Sequence, residues 1–322
     1  MHIWKKWLTP VLVYLSAALV MAYASFRLPT LLPGDFVTAM YAGSDVTLNA
    51  EQEASLRSFY QDTQGFPEYL HNLATLDWGY SHAFMAPVSQ LFLQALPWTL
   101  LLMGTAHVLS TLLGFFLGVE AAWRRGSLME KAGVGMMTVL EGIPEICSGV
   151  LLLLVFALSL GWFPAAGAQM AYADHTTGQW LVDVALHLTL PLATLILAYL
   201  PGNFLLARAG MVMVLESFFV VTARAKGLPP RRVRYAHAAR NALLPLVTRF
   251  GLRFAFMITG ALVVETIFSY PGLGTLLFNA IAMRDLPLVQ GIVLFSAIMV
   301  LVANLGMEYV YTLLDPRVGH AS

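Results

Sequence analysis

The sequence predicts an all-α integral membrane protein with six transmembrane helices and both termini in the cytoplasm. Three observations carry this: long uncharged runs, a charge content too low to cover a surface in water, and basic residues gathered on one side of the runs. Of 322 residues, 58% are apolar and 11% charged, and mean hydropathy is +0.72. Soluble domains carry roughly 25% charged residues. The runs are continuous rather than alternating in period two, which argues against a barrel.

About 20 residues at 1.5 Å rise cross a hydrocarbon core roughly 30 Å thick. The first run, Trp7 to Phe26, follows Lys5 and Lys6. A cleaved signal peptide ending at the small pair Ala22 and Ala24 competes with a retained anchor here, although the run is long for a signal peptide. A loop of Pro29 to Gln90 follows, within which Asn49 to Tyr60 reads as a short amphipathic helix capped at Asn49, with Glu51 and Glu53 in its first turn. So long a loop without structure is unusual, so it is expected to pack on the outer face. The second run is Leu91 to Val119 and the third Ile146 to Phe163. The third helix is expected to begin nearer Ala132, which brings Glu141 and Glu145 into the membrane. Val184 to Ala207, Phe254 to Met283 (broken only by Glu265) and Leu286 to Met307 complete the six.

Charge placement orients them. Arg124, Arg125 and Lys131 lie between the second and third runs, and Arg224, Lys226, Arg231, Arg232, Arg234 and Arg240 between the fourth and fifth; Arg317 follows the sixth. On the other side, residues 30–90 hold only Arg57 against seven acids, and residues 161–185 have no Lys or Arg. The positive-inside rule then puts both termini in the cytoplasm. The balance of 18 basic and 18 acidic residues hides this asymmetry. Cys147 is alone, which excludes a disulfide framework or cysteine metal site. His71, His82, His187 and His237 form no close ligand pair, so no permanent metal site is expected. We divide the chain into residues 1–92, a helix with an extracytoplasmic loop, and residues 93–317, a five-helix core with a cytoplasmic segment at 216–245.

That segment is the most distinctive part of the chain. It runs Glu216-Ser217-Phe218-Phe219-Val220-Val221-Thr222-Ala223-Arg224-Ala225-Lys226-Gly227-Leu228-Pro229-Pro230, then on through Arg240 and Asn241 to Pro245. Two short helices broken at Gly227 and Pro229-Pro230 are expected, since Gly permits a left-handed helix exit and Pro suits a first turn. Small Ala223 and Ala225 would let another surface approach, with Arg224 and Lys226 supplying charged contacts. An ordinary positive-inside loop has the same charge, so the segment alone does not decide.

Other motifs accompany it: Leu32-Pro33-Gly34-Asp35, Leu76-Asp77-Trp78-Gly79-Tyr80-Ser81, Leu160-Gly161-Trp162-Phe163-Pro164, His187-Leu188-Thr189-Leu190-Pro191, the stretch Glu265 to Gly274 with Tyr270-Pro271-Gly272 inside it, and Leu314-Asp315-Pro316-Arg317. With these, the segment resembles the coupling loop of binding-protein-dependent ABC importer permeases, in their oligopeptide, dipeptide and nickel branch. Each motif is weak alone; their order and separations are specific and cover nearly the whole chain. Val221 stands where the general pattern has Glu, and Leu244-Pro245 lies farther from Gly227, as is usual in this branch. The resemblance implies the type I importer permease fold in a bacterial inner membrane. It also implies a second homologous permease, two ATP-binding subunits and an extracytoplasmic solute-binding protein. Glu216, Thr222, Ala223, Arg224, Ala225, Lys226, Gly227, Leu228, Arg240, Asn241 and Pro245 would then form the ATPase-coupling loop. No G-x-x-x-x-G-K-[ST] occurs, so ATP and Mg are expected on the partner subunits, with no cofactor on this chain and no nucleic acid partner.

Glu141 and Glu145 share a helix face at i, i+4 around Pro144. A carboxylate inside the membrane faces water or a partner, so Glu141, Pro144 and Glu145 are candidates for the translocation path, favouring a cationic group on the solute. A polar pair bonded to the companion permease, or one set at the cytoplasmic interface, is the competing reading. Glu265, Pro271, Gly272 and Gly274 are read as structural, with Glu265 capping or bracing the outer turn. A stand-alone ion-coupled transporter is the rival function, but one span, a long loop and five spans show no paired halves. A membrane-embedded enzyme lacks a nucleophile beside the two acids.

Overall fold

A computed structural model describes residues 2–31, 37, 49–60, 65–75, 77–171, 176–255 and 261–314. Leu32-Pro33-Gly34-Asp35, Asp315-Pro316-Arg317 and residues 256–260 of the expected fifth span lie outside the described residues. The chain divides into two units, Met1–Trp98 with Pro271–Val302, and Thr99–Tyr270 with Ala303–Ser322.

The first unit opens with α1 (His2–Leu31) and the short α2 (Ala50–Tyr60) and α3 (Phe66–Ala74). At the start of α2 the Gln52 amide donates to Asn49 Oδ1 at 2.7 Å and Gln52 Oε1 accepts from the Asn49 amide at 3.1 Å, a reciprocal cap at the expected residue. α3 packs on α1 through Tyr23, Phe26, Phe66 and Tyr69. The Trp78-Gly79-Tyr80-Ser81 motif becomes a hairpin in which β1 (Tyr80–Ser81) pairs antiparallel with β2 (Ala86–Pro87). Buried Asp285 holds it: Oδ2 accepts from Ser81 Oγ at 2.5 Å and the Ala83 amide at 3.0 Å, while Oδ1 accepts from the Leu288 amide. Trp78, Phe92 and Phe295 pack beneath the hairpin.

The second unit holds most of α4 (Val88–Trp123), then α5 (Leu128–Glu141), α6 (Glu145–Leu152, continued by π-helical Leu153–Ser159) and α7 (Thr177–Leu215). Between helices in lipid no hydrophobic driving force operates, so small residues that permit close van der Waals approach set the packing. Gly114 and Gly118 do this on α4: an added Cβ would fall 2.6 Å from Asn203 Cβ or from the Phe204 carbonyl oxygen. Asn203, buried at this crossing, donates to Ser110 Oγ and Thr111 Oγ1. α5 and α6 both lie along α7.

Among the described residues three helices are long and apolar enough to cross a membrane: Val88–Trp123, Thr177–Leu215 and Leu286–Gly306. The third expected span is not one straight helix. Leu128–Glu141 and Glu145–Ser159 meet at 95°, because Gly142 ends α5 and Pro144, without an N–H, can only begin the next helix. Counted as one, this pair makes a fourth crossing. The expected fifth run is broken as well. α8 (Phe218–Ala225), α9 (Pro230–Arg232, π-helical Val233–Ala239 and Arg240–Ala242) and α10 (Leu244–Ala255) precede it. α11 (Leu262–Ile267) then stops at Ser269, whose φ is +46°, and α12 (Leu273–Ala282) starts afresh at Gly272. α13 (Leu286–Leu314) ends the described chain. In α1, 30 residues long, the described side chains give an apolar stretch at Leu12–Arg27.

Glu265 is fully buried in the second unit and its Oε1 accepts from Thr99 Oγ1 at 2.6 Å, tying α11 to α4. Its carbonyl accepts from the Tyr270 amide, closing the turn after α11. Pro271 is exposed, Gly272 caps α12 in extended conformation, and Gly274 is buried in the first turn.

Candidate functional site: a clasped basic segment and a charged break

The 216–245 segment is built on the ends of α4 and α7. Glu216 caps α7 and pairs with Arg125 at 2.8 Å. Helix α8 then presents two faces. Val220 and Ala223 enter a buried cluster with Val119, Ala122, Met211, Val233, Ala238, Ala239 and Ala242. Opposite them, at the i, i+3, i+4, i+7 spacing of one helical face, Phe218, Val221, Thr222 and Ala225 are exposed, Phe218 by 92% and Val221 by 56%. Ala223 therefore does not offer the open surface expected of it; it is an inward anchor, and Ala225 alone of the two alanines faces out.

α8 ends where expected. Gly227 has φ +71°, its amide donates to the Arg224 carbonyl at 3.0 Å, and the Leu228 amide donates to the Ala223 carbonyl at 3.4 Å. This is a Schellman closure, and Leu228 completes it by packing on the buried cluster. Pro229 and Pro230 then start α9.

Charged side chains clasp the segment to the end of α4. Trp123 lies between two guanidiniums, with Arg224 5.1 Å and Arg234 4.7 Å from its ring centre. Glu120 pairs with Arg234 and, at 2.9 Å, with Arg124. Arg224 is thus partly engaged within the chain, while Lys226, Arg240, Asn241 and Pro245 are exposed, and Asn241 Nδ2 donates to the His237 carbonyl. Trp123 and Glu120 were not singled out from sequence; their signal was an aromatic residue and an acid at the end of an apolar run facing a basic segment.

A second cluster surrounds the 95° break. Glu141 is the last residue of α5 and is exposed, Pro144 is exposed, and Glu145 is half-buried. They are not alone: α10 brings Arg249 and Arg253, one turn apart. Arg249 Nη2 stands 3.9 Å from Glu141 Oε1, and Nη1 donates to the Gly202 carbonyl at 3.2 Å. Gly202 makes the window: a Cβ there would strike the Arg249 guanidinium and fall 2.8 Å from Glu141 Oε1. Arg253 lies 4.6 Å over the Tyr199 ring, which stacks parallel to buried His107 at 5.0 Å. Two acids and two arginines balance in formal charge, so a purely anionic lining is replaced by a mixed one. The arginines escaped sequence reading because they follow the basic loop at i, i+4 and look like its continuation.

These features define a class: a polytopic helical membrane protein that presents an anchored, partner-sized helix and basic residues at one end of its bundle. The match to a family model makes it specific. Residues 110–320 match the model described as the inner membrane component of binding-protein-dependent transport systems, and the chain belongs to that family. It is 37% identical to the di/tripeptide transport system permease protein DppB of Pseudomonas aeruginosa, over 92% of this chain and 93% of that one. The oligopeptide transport system permease protein AppB of Bacillus subtilis is 33% identical, covering 91% and 92%. The dipeptide transport system permease protein DppB of Escherichia coli K12 is 32% identical, covering 92% and 93%. The chain is a transmembrane permease of the peptide branch of ABC importers, a transport subunit and not an enzyme.

Proposed function

We propose that this chain is one of two permeases in an ATP-driven importer of peptides, spanning a bacterial inner membrane six times with both termini in the cytoplasm. Two ATPase subunits bind ATP and Mg, an extracytoplasmic binding protein delivers the solute, and this chain binds no cofactor. The observation that carries the reading is the outer face of α8. A short helix with Phe218, Val221 and Ala225 bare to one side, and Val220 and Ala223 locked to the other, suits insertion into a groove of a soluble partner. Arg224 and Lys226 frame that face, and the clasp on Trp123 and Glu120 lets a push on α8 reach α4 and α7 as one body.

Peptides are preferred to nickel or metal chelates because the similar permeases named above carry peptide, dipeptide or oligopeptide names. The break at Gly142 to Pro144, with Glu141, Glu145, Arg249 and Arg253 beside it, is assigned to the wall of the translocation path. A mixed charge set matches the amine and carboxylate of a short peptide better than a bare metal cation. A stand-alone ion-coupled transporter would have no use for an exposed apolar helix outside the bilayer.

The test is Phe218→Asp in the assembled transporter. Its side chain touches solvent, so insertion and folding should persist while ATPase subunits are lost on purification and uptake falls at least tenfold. Wild-type uptake by this variant would end the docking assignment.

A further inference from the structure

Beside the coupling segment lies an open groove of about 710 Å³ that the docking reading does not use. Phe116 of α4 and Arg231, Arg234 and Tyr235 of α9 line it. Its walls are of two kinds. On one side α4 carries a stripe of exposed apolar side chains, Leu109, Leu112, Leu113, Phe116 and Leu117, running toward the end of the helix. On the other side stand arginines. Among the described residues Arg231 and Arg232 have no carboxylate partner, and Arg234, although paired with Glu120, keeps a buried Nε with no hydrogen-bond acceptor. Tyr235 bridges the two walls, 6.2 Å from the Phe116 ring and 5.8 Å from the Arg234 guanidinium.

An apolar helix face that ends in an aromatic pair and then in guanidiniums has the order of a phospholipid read from tail to head. Aromatic rings concentrate at the hydrocarbon boundary, and basic pockets between helices on the cytoplasmic side suit anionic headgroups. Arginine suits phosphate in particular, because its planar donors match two oxygens at once. A zwitterionic headgroup would bring its own cation against Arg231 and Arg232 and gain less.

We infer that this groove seats the phosphate of an anionic phospholipid on Arg231 and Arg234, with its acyl chains along the Leu109, Leu112 and Phe116 face of α4. Because Arg234 also holds Glu120 and Trp123, the lipid bears on the same clasp that fastens α8. The inference rests on the membrane reading of the chain and not on its partners or its solute.

Native mass spectrometry of the full purified transporter, stripped of lipid and reloaded with phosphatidylglycerol or phosphatidylcholine, tests it. Arg231→Gln should lower phosphatidylglycerol retention about fivefold, Arg231→Lys, which keeps the charge but not the planar donor pair, should restore only part of it, and phosphatidylcholine should be retained weakly by all three proteins. Equal retention of phosphatidylglycerol by wild type and R231Q overturns the inference. So does equal loss of both lipids, which would remove headgroup charge from the recognition. Displacement of the lipid by millimolar inorganic phosphate would make the groove a free-anion site. If R231Q sheds the ATPase subunits or the second permease while keeping its lipid, the groove belongs to a protein partner. Since phosphatidylglycerol binding is read directly, failure here leaves the coupling function standing.

Discussion

Gly227 holds a left-handed conformation with open space where a side chain would project. A substitution there meets no neighbour, so its cost is backbone strain, about 1–2 kcal/mol. Gly227→Val should therefore leave the protein inserted while loosening the exit of α8, visible as uptake reduced severalfold at unchanged membrane abundance. Gly202 is the opposite case, with a helical backbone and no room. Gly202→Ala should push the Arg249 guanidinium off the Gly202 carbonyl and away from Glu141, at a cost of about 1–3 kcal/mol, readable as a lower melting temperature of the purified transporter. Glu145 tests the path assignment. Glu145→Gln should alter uptake of peptides with cationic side chains relative to neutral ones, and an unchanged preference would remove Glu145 from the wall.

Among the elements, α8 depends on contacts far from it in sequence. Its eight residues are too few to persist as an isolated helix. Burial of Val220 and Ala223 supplies part of its order, and the two guanidinium stacks on Trp123 supply more, each about 0.5–2 kcal/mol. Trp123→Ala should raise amide hydrogen exchange over residues 218–228 well above that of α7, and should weaken coupling without touching the docking face. The same logic applies to Asp285 and its hairpin. The hairpin was not legible in sequence, where its residues entered only through the family motif Leu76-Asp77-Trp78-Gly79-Tyr80-Ser81. The reason is Asp285, 204 positions from Ser81. Spacing rules see neighbours within a turn or a strand pair, and nothing local announces a partner two hundred residues away.

For the whole molecule, the proposed division of labour predicts silence from the chain in isolation. Reconstituted alone in liposomes it should move no peptide, with or without ATP, whereas the complete complex should import only when ATP is hydrolysed. The chain's own division also departs from its order in sequence. Pro271–Val302 joins the N-terminal unit, although a cut at 92/93 follows naturally from the long loop. Uncharged runs, basic bias, the Asn49 cap and the break at Gly227 and Pro229-Pro230 were legible because each depends on a few adjacent residues in a known solvent. Tertiary contact decided the rest. It turned Ala223 inward, set Arg249 and Arg253 beside the two glutamates, and brought Trp123 within reach of two arginines. Each of these depends on which distant surface a side chain meets, and a single strand of sequence carries no distance between residues that the fold alone makes neighbours.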